Sequence, residues 1–105
     1  MSLSKKEIEI MKVLWKTNAP MTNAEIIAAS EDPSWKESSI YVIMNSLISK
    51  GAVVLCGLKP TSTNNARSYM PTLSAEDYTH NLIKNLDLGI DYDRLVKLVT
   101  KLKEG

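Results

Sequence analysis

A single cysteine, Cys56, stands in a chain of 105 residues. No internal disulfide can form, and the chain fits a reducing compartment. No apolar run nears the roughly 20 residues that a membrane-spanning helix needs. The N-terminus lacks an apolar stretch of the secretory kind, so the expectation is a cytoplasmic protein with no membrane partner. Basic excess is missing too. The 13 Lys/Arg against 12 Asp/Glu leave a net charge of +1, well short of the signature of strongly basic nucleic-acid binders. The one histidine, His80, has no thiol, acid or second imidazole in ligand spacing and reads as a surface or interface residue. There is no Gly-rich phosphate loop and no nucleophile–base pair. No catalytic residue, metal site or cofactor is therefore expected. Met1-Ser2-Leu3 and Glu104-Gly105 read as appended termini that carry no weight.

What is present is ordinary for a folded domain. The chain is 44% hydrophobic and 24% charged, which argues against disorder. Its length suits one hydrophobic core with an appendage. Charge is distributed unevenly. Residues 1–52 are neutral, residues 53–73 carry +2 from Lys59 and Arg67, and residues 74–105 carry −1.

Helix signals punctuate the chain. Ser4-Lys5-Lys6-Glu7 has the Ser-x-x-Glu pattern of a capping box, and Ile8, Met11, Leu14 and Trp15 recur behind it at helical spacing. Ala19-Pro20 ends that helix. Thr22-Asn23-Ala24-Glu25 is a second capping box, opening a short helix through Ile26, Ile27 and Ala29. Asp32-Pro33 forces a turn, and Ser34-Trp35-Lys36-Glu37 is a third capping box. Ile40, Ile43, Met44, Leu47 and Ile48 then form one apolar stripe. The opposite face holds Ser38, Ser39, Tyr41, Val42, Asn45, Ser46 and Ser49. Lys50 suits the helix dipole, and Gly51 supplies the left-handed residue that ends it.

Val53-Val54-Leu55 reads as a strand and Arg67-Ser68-Tyr69-Met70 as its partner, with a polar loop over Gly57–Ala66. Ser74-Ala75-Glu76-Asp77 caps a fourth helix carrying Tyr78, Leu82, Ile83 and Leu86, ended by Leu88-Gly89. A last helix follows Asp91, with Leu95, Leu98, Val99 and Leu102 in a narrow stripe that suits a partner helix. Trp15, Trp35 and Tyr69 read as packing residues, Tyr41 as packing or groove contact, and Cys56 as a small buried apolar residue.

A helix, a turn, a second helix and a β-hairpin make a winged helix-turn-helix, in which the second helix of the motif enters the DNA major groove. The predicted fold is mainly α with a small β-hairpin. Residues 4–73 form the winged helix DNA-binding domain and residues 74–103 a C-terminal helical dimerisation region. Ser38, Ser39, Tyr41, Val42 and Asn45 would face base edges, where Ser bonds to any base, Asn pairs with adenine, and Val or Tyr packs on a thymine methyl. Lys36 would lie near a phosphate, and Lys59 and Arg67 on the wing would grip the backbone. Tyr78, Leu82, Leu86, Leu95, Leu98, Val99 and Leu102 would make the dimer.

These segments resemble the penicillinase-repressor family of bacterial winged-helix regulators, which includes β-lactamase, methicillin-resistance and copper-transport repressors. The resemblance covers about residues 5–85. It lies in Glu9-Ile10-Met11-Lys12-Val13-Leu14-Trp15-Lys16, in Thr22-Asn23-Ala24-Glu25-Ile26-Ile27, in Trp35 with Ile40, Leu47, Ile48 and Lys50-Gly51-Ala52, and in Arg67-x-Tyr69-x-Pro71. It implies a homodimeric repressor on a palindromic operator in double-stranded DNA. Departures bear on how such a repressor is released. The chain has no Phe, so the family's Asn-Phe cleavage site is absent, and a lone Cys56 cannot form the copper-responsive cysteine cluster. An inducer or antirepressor would be of another, unspecified type. The outward face of the third helix also lacks the family's usual Lys or Arg. That favours one alternative reading, a winged-helix protein–protein interaction module without DNA binding.

Overall fold

A computed structural model describes residues 1–105. Ser4 opens α1 (Lys5–Thr17) through the expected reciprocal cap. Its hydroxyl accepts the Glu7 amide at 3.2 Å, and Glu7 Oε1 accepts the Ser4 amide at 2.7 Å. Asn18 closes the helix in the left-handed conformation. Ile10, Met11 and Leu14 are fully buried, while Ile8 and Trp15 flank them half-buried. The stripe is thus centred slightly off the one that spacing predicts.

After Pro20 the chain makes a two-residue strand, β1 (Met21–Thr22), that the sequence does not announce. Thr22 then caps α2 (Asn23–Ala29) by the second box, with Glu25 Oε1 accepting the Thr22 amide at 2.9 Å. The third box does not form. Trp35 is drawn into the core, 4% exposed, and Ser34 turns the other way, donating from its amide and hydroxyl to the Glu9 carboxylate. The chain instead enters through a 3-10 turn at Glu37–Ser39, whose leading residue Lys36 makes no side-chain cap. The third helix, α3 (Ile40–Ser49), buries Ile40, Ile43, Met44 and Leu47. Ile48, expected on that stripe, is 40% exposed at its edge. Gly51 follows at φ +77°, a conformation that a side chain would strain.

The hairpin is longer than expected. Strand β2 (Val53–Pro60) pairs antiparallel with β3 (Asn65–Pro71), so much of the predicted loop is strand and only Thr61–Asn64 turns. Thr61 and Asn64 close that turn, the Asn64 amide donating to Thr61 Oγ1 at 3.0 Å. A bulge between Leu55 and Gly57 lets the ladder continue, with Gly57 at φ +135°. Cys56 sits at this bulge, beyond the core, and is exposed rather than buried. The sheet order is β1-β3-β2.

Fifteen apolar residues form one core, running from Leu3 to Tyr78. A side chain of this size, fully buried, contributes about 1.5–3 kcal/mol. Both ends of that core depart from the expectation set by the sequence. Leu3 is 8% exposed, and its amide donates to Tyr78 Oη at 3.2 Å, so residue 3 belongs to the fold. Tyr78, expected in the dimer interface, is also 8% exposed. It lies in the first turns of α4 (Ala75–Asn85), where its ring packs against Trp15 with centroids 6.1 Å apart. Trp15 in turn donates from Nε1 to the Leu73 carbonyl at 2.8 Å. Ser74 caps α4 as predicted, and the helix ends at Asn85, before Leu88-Gly89. Asp91 caps α5 (Tyr92–Glu104). No residue after Tyr78 is buried. The radius of gyration is 16.2 Å and the longest dimension 54 Å, whereas a compact chain of this length would have a radius near about 13 Å. Helices α4 and α5 form an arm off the winged unit.

Candidate nucleic-acid interface

Helix α3 divides into two faces because its stripe is anchored in the core. On the outer face Tyr41 is 69% and Val42 72% exposed, with Ser38, Asn45 and Ser49 exposed beside them. Ser39 is half-buried. Side chains four apart share a face, so Tyr41, Asn45 and Ser49 form one row. Ser46, expected on this face, rolls inward and donates to Glu7 Oε2 at 2.7 Å. The exposed row offers hydroxyls, an amide and apolar surface without a basic group.

The cations around the helix have distinct situations. Lys50, at the C-terminal end of α3, places Nζ 2.6 Å from Glu7 Oε1 and 3.0 Å from the Ser2 carbonyl. Burial by itself would raise the Glu7 carboxyl's pKa. Hydrogen bonds from Lys50, the Ser4 amide and Ser46 overcome that and lower it from 4.5 to about 2. Lys36 is exposed at the 3-10 turn. On the wing, Arg67 is exposed and belongs to neither ion pair of the structure. Lys59, two residues from the hairpin turn, reaches back to the start of α2. Its Nζ donates to Glu25 Oε1 and Oε2 at 2.9 and 3.1 Å and to the Pro20 carbonyl at 3.2 Å.

Two residues with a stake in this surface are masked in the sequence by a second role. Glu7 and Glu25 each occupy the third helical position of a capping box, a role that explains an acid there fully. A carboxylate has capacity left after its cap bond. Each spends it on a lysine more than 30 positions away, Lys50 and Lys59 respectively. The only signal was the balance of charge, six acids against six bases in residues 1–52, and it does not say which partners meet. The wing is also less polar than its loop composition suggests, with Val54, Leu55 and Leu58 exposed on β2.

Of the interface predicted for the C-terminal region, Leu82, Leu86, Leu98, Val99 and Leu102 are exposed apolar residues, and Leu95 is half-buried. No group of His, Cys, Asp or Glu side chains is arranged to hold a metal ion, and no helix is long and apolar enough to cross a membrane.

A three-helix unit whose third helix lies on the surface beside a β-hairpin, with a short strand completing the sheet, defines a winged-helix protein. The family model described as penicillinase repressor matches residues 3–102. The penicillinase repressor of Bacillus licheniformis is 32% identical over 76 residues, an alignment covering 72% of this chain and 56% of that relative. The chain belongs to the penicillinase repressor family.

Proposed function

We propose that the protein is a sequence-specific DNA-binding transcriptional repressor of the cytoplasm that acts as a homodimer on a palindromic operator. The observation that carries this reading is the outer face of α3: a helix locked into the core on one side, with Tyr41, Val42 and Asn45 open on the other, beside the wing. Tyr41, Val42 and Asn45 meet base edges in the major groove, with Ser38 and Ser39 at the helix entry. Asn45 pairs with adenine and Val42 packs against a thymine methyl. Lys36 and Arg67 contact phosphates, and Lys59 joins them once it leaves Glu25. The exposed stripe Leu95–Leu98–Val99–Leu102, with Leu82 and Leu86, buries itself against a second copy. Two-fold symmetry then sets half-sites about 10 bp apart, or a multiple of that. Release requires an inducer or antirepressor whose chemistry is neither cleavage at an Asn-Phe bond nor a cysteine cluster.

The absence of a basic group from the outer α3 row favours one competing reading, a winged-helix module that binds protein through Tyr41 and Val42. Selection from random duplex DNA at two salt concentrations separates them. Enrichment of one sequence, weakening as salt rises, supports the repressor. Failure to enrich any sequence or to bind duplex at low salt rejects it.

A further inference from the structure

The wing carries two cations, and the fold leaves only one of them open. Lys59 pairs with Ala66 across the hairpin, next to the Leu58–Arg67 pair, so both cations lie on one segment of the ladder. Arg67 is exposed, whereas the Lys59 ammonium is held by both oxygens of Glu25. The side chains of the pair are 39% and 46% exposed. Ion pairs this open contribute little to stability, so holding the fold together does not account for the arrangement. Nor does the cap on α2, because a capping box works with Gln as well as Glu. What Glu25 adds over Gln is a negative charge on the one wing lysine. The Thr22 amide first, and Lys59 second, hold its carboxyl below the ordinary range.

We infer that Glu25 is a specificity-determining residue: it withholds Lys59 from the DNA backbone on arbitrary sequence and yields it when α3 is seated on its operator. The inference rests on the DNA-binding reading above. On an ill-fitting duplex the wing stays at a distance, so no phosphate comes near enough to replace the carboxylate at 2.9 Å. Seating α3 in the groove fixes a phosphate beside the hairpin, and a charge-assisted bond to it replaces the one to Glu25. Non-specific binding therefore counts one phosphate contact fewer than operator binding.

The test measures binding of the full chain to a random-sequence duplex and to the duplex recovered by selection, across salt concentrations. Glu25→Gln keeps the cap and removes the charge that pairs with Lys59, leaving the lysine Nζ only the Pro20 carbonyl and a neutral amide. Its random-duplex binding is expected to steepen in salt slope by about 0.9, an extra loss of about 3.5-fold for a fourfold rise in salt. Lys59→Ala lowers the salt slope on the selected duplex by about 0.9, more than on the random duplex, and abolishes the slope effect of Glu25→Gln when the two are combined. A Glu25→Gln slope equal to that of the unsubstituted chain overturns the inference, as does an equal steepening in the Lys59→Ala background. If the unsubstituted chain binds no duplex at low salt, the DNA-binding reading itself fails and this inference with it.

Discussion

Lys50 Nζ lies 2.6 Å from Glu7 Oε1, tying the last turn of the exposed helix α3 to the first turn of α1. The Glu7 side chain is almost wholly enclosed, and it accepts Ser46 from α3 as well. One carboxylate thus ties Ser46 and Lys50 to α1, beside the buried stripe that sets which way Tyr41 and Asn45 face.

That arrangement makes stability depend on pH in a definite sense. The folded carboxyl titrates at about 2 and the unfolded one near 4.5. The contribution is complete above the unfolded value and fades as pH falls from about 5 toward 2. Its full size is about 3 kcal/mol, of which about 2 kcal/mol is lost by pH 3. Urea unfolding at pH 7 and pH 3 should show the drop, and Glu7→Gln should flatten that dependence while lowering stability at pH 7.

Removing core volume should separate the two parts of the molecule. Leu47→Ala, at a site with no exposure, should cost about 2–5 kcal/mol. Leu102→Ala, 81% exposed, should leave monomer stability within about 0.5 kcal/mol. Chemical denaturation of both variants at low protein concentration checks the contrast.

The arm predicts association. Leu98→Asp places a charge in the stripe of α5 and should turn a dimer into a monomer by sedimentation, with the winged unit's unfolding unchanged. A monomeric unsubstituted chain at micromolar concentration would remove dimerisation from the account.

Tyr78→Phe tests the junction between arm and winged unit. It removes the acceptor of the buried Leu3 amide, and leaving such a donor unpaired costs about 1–3 kcal/mol. Thermal unfolding should fall accordingly, and truncation of residues 1–3 should destabilise the chain as well.

Helix starts and stops are legible in the chain because local chemistry decides them. Ser4, Thr22 and Ser74 cap helices as their patterns require, Asp91 caps the helix expected to follow it, and Gly51 ends α3 at a positive φ. The third capping box failed because burial of Trp35 outweighed a local pattern that only the assembled core can veto. The same holds for Tyr78. Its spacing with Leu82 and Leu86 marks a helix face, but which neighbour covers each residue depends on Trp15, 63 positions earlier. Strand β1 is two residues long and exists only because Met21 meets Tyr69. In the candidate interface the exposed row on α3 was legible from period alone. The state of its cations was not, since the pairs of Lys50 and Lys59 are tertiary contacts.

Loss of a phosphate contact and loss of a base contact should differ in their effects. Arg67→Ala should weaken binding to every sequence alike and lower the salt slope by about 0.9. Asn45→Ala should instead relax preference at one base pair, by about 1–3 kcal/mol. Repeating the duplex selection with each variant distinguishes a general loss from a local one.

The most direct measurement is an amide chemical-shift titration of the full chain with the selected duplex. The account predicts the largest changes at Ser38, Tyr41, Val42 and Asn45, with a second group at Arg67 on the wing and little along α5. Changes confined to α4 and α5, or absent from α3 at saturating duplex, would contradict the claim that this helix reads DNA.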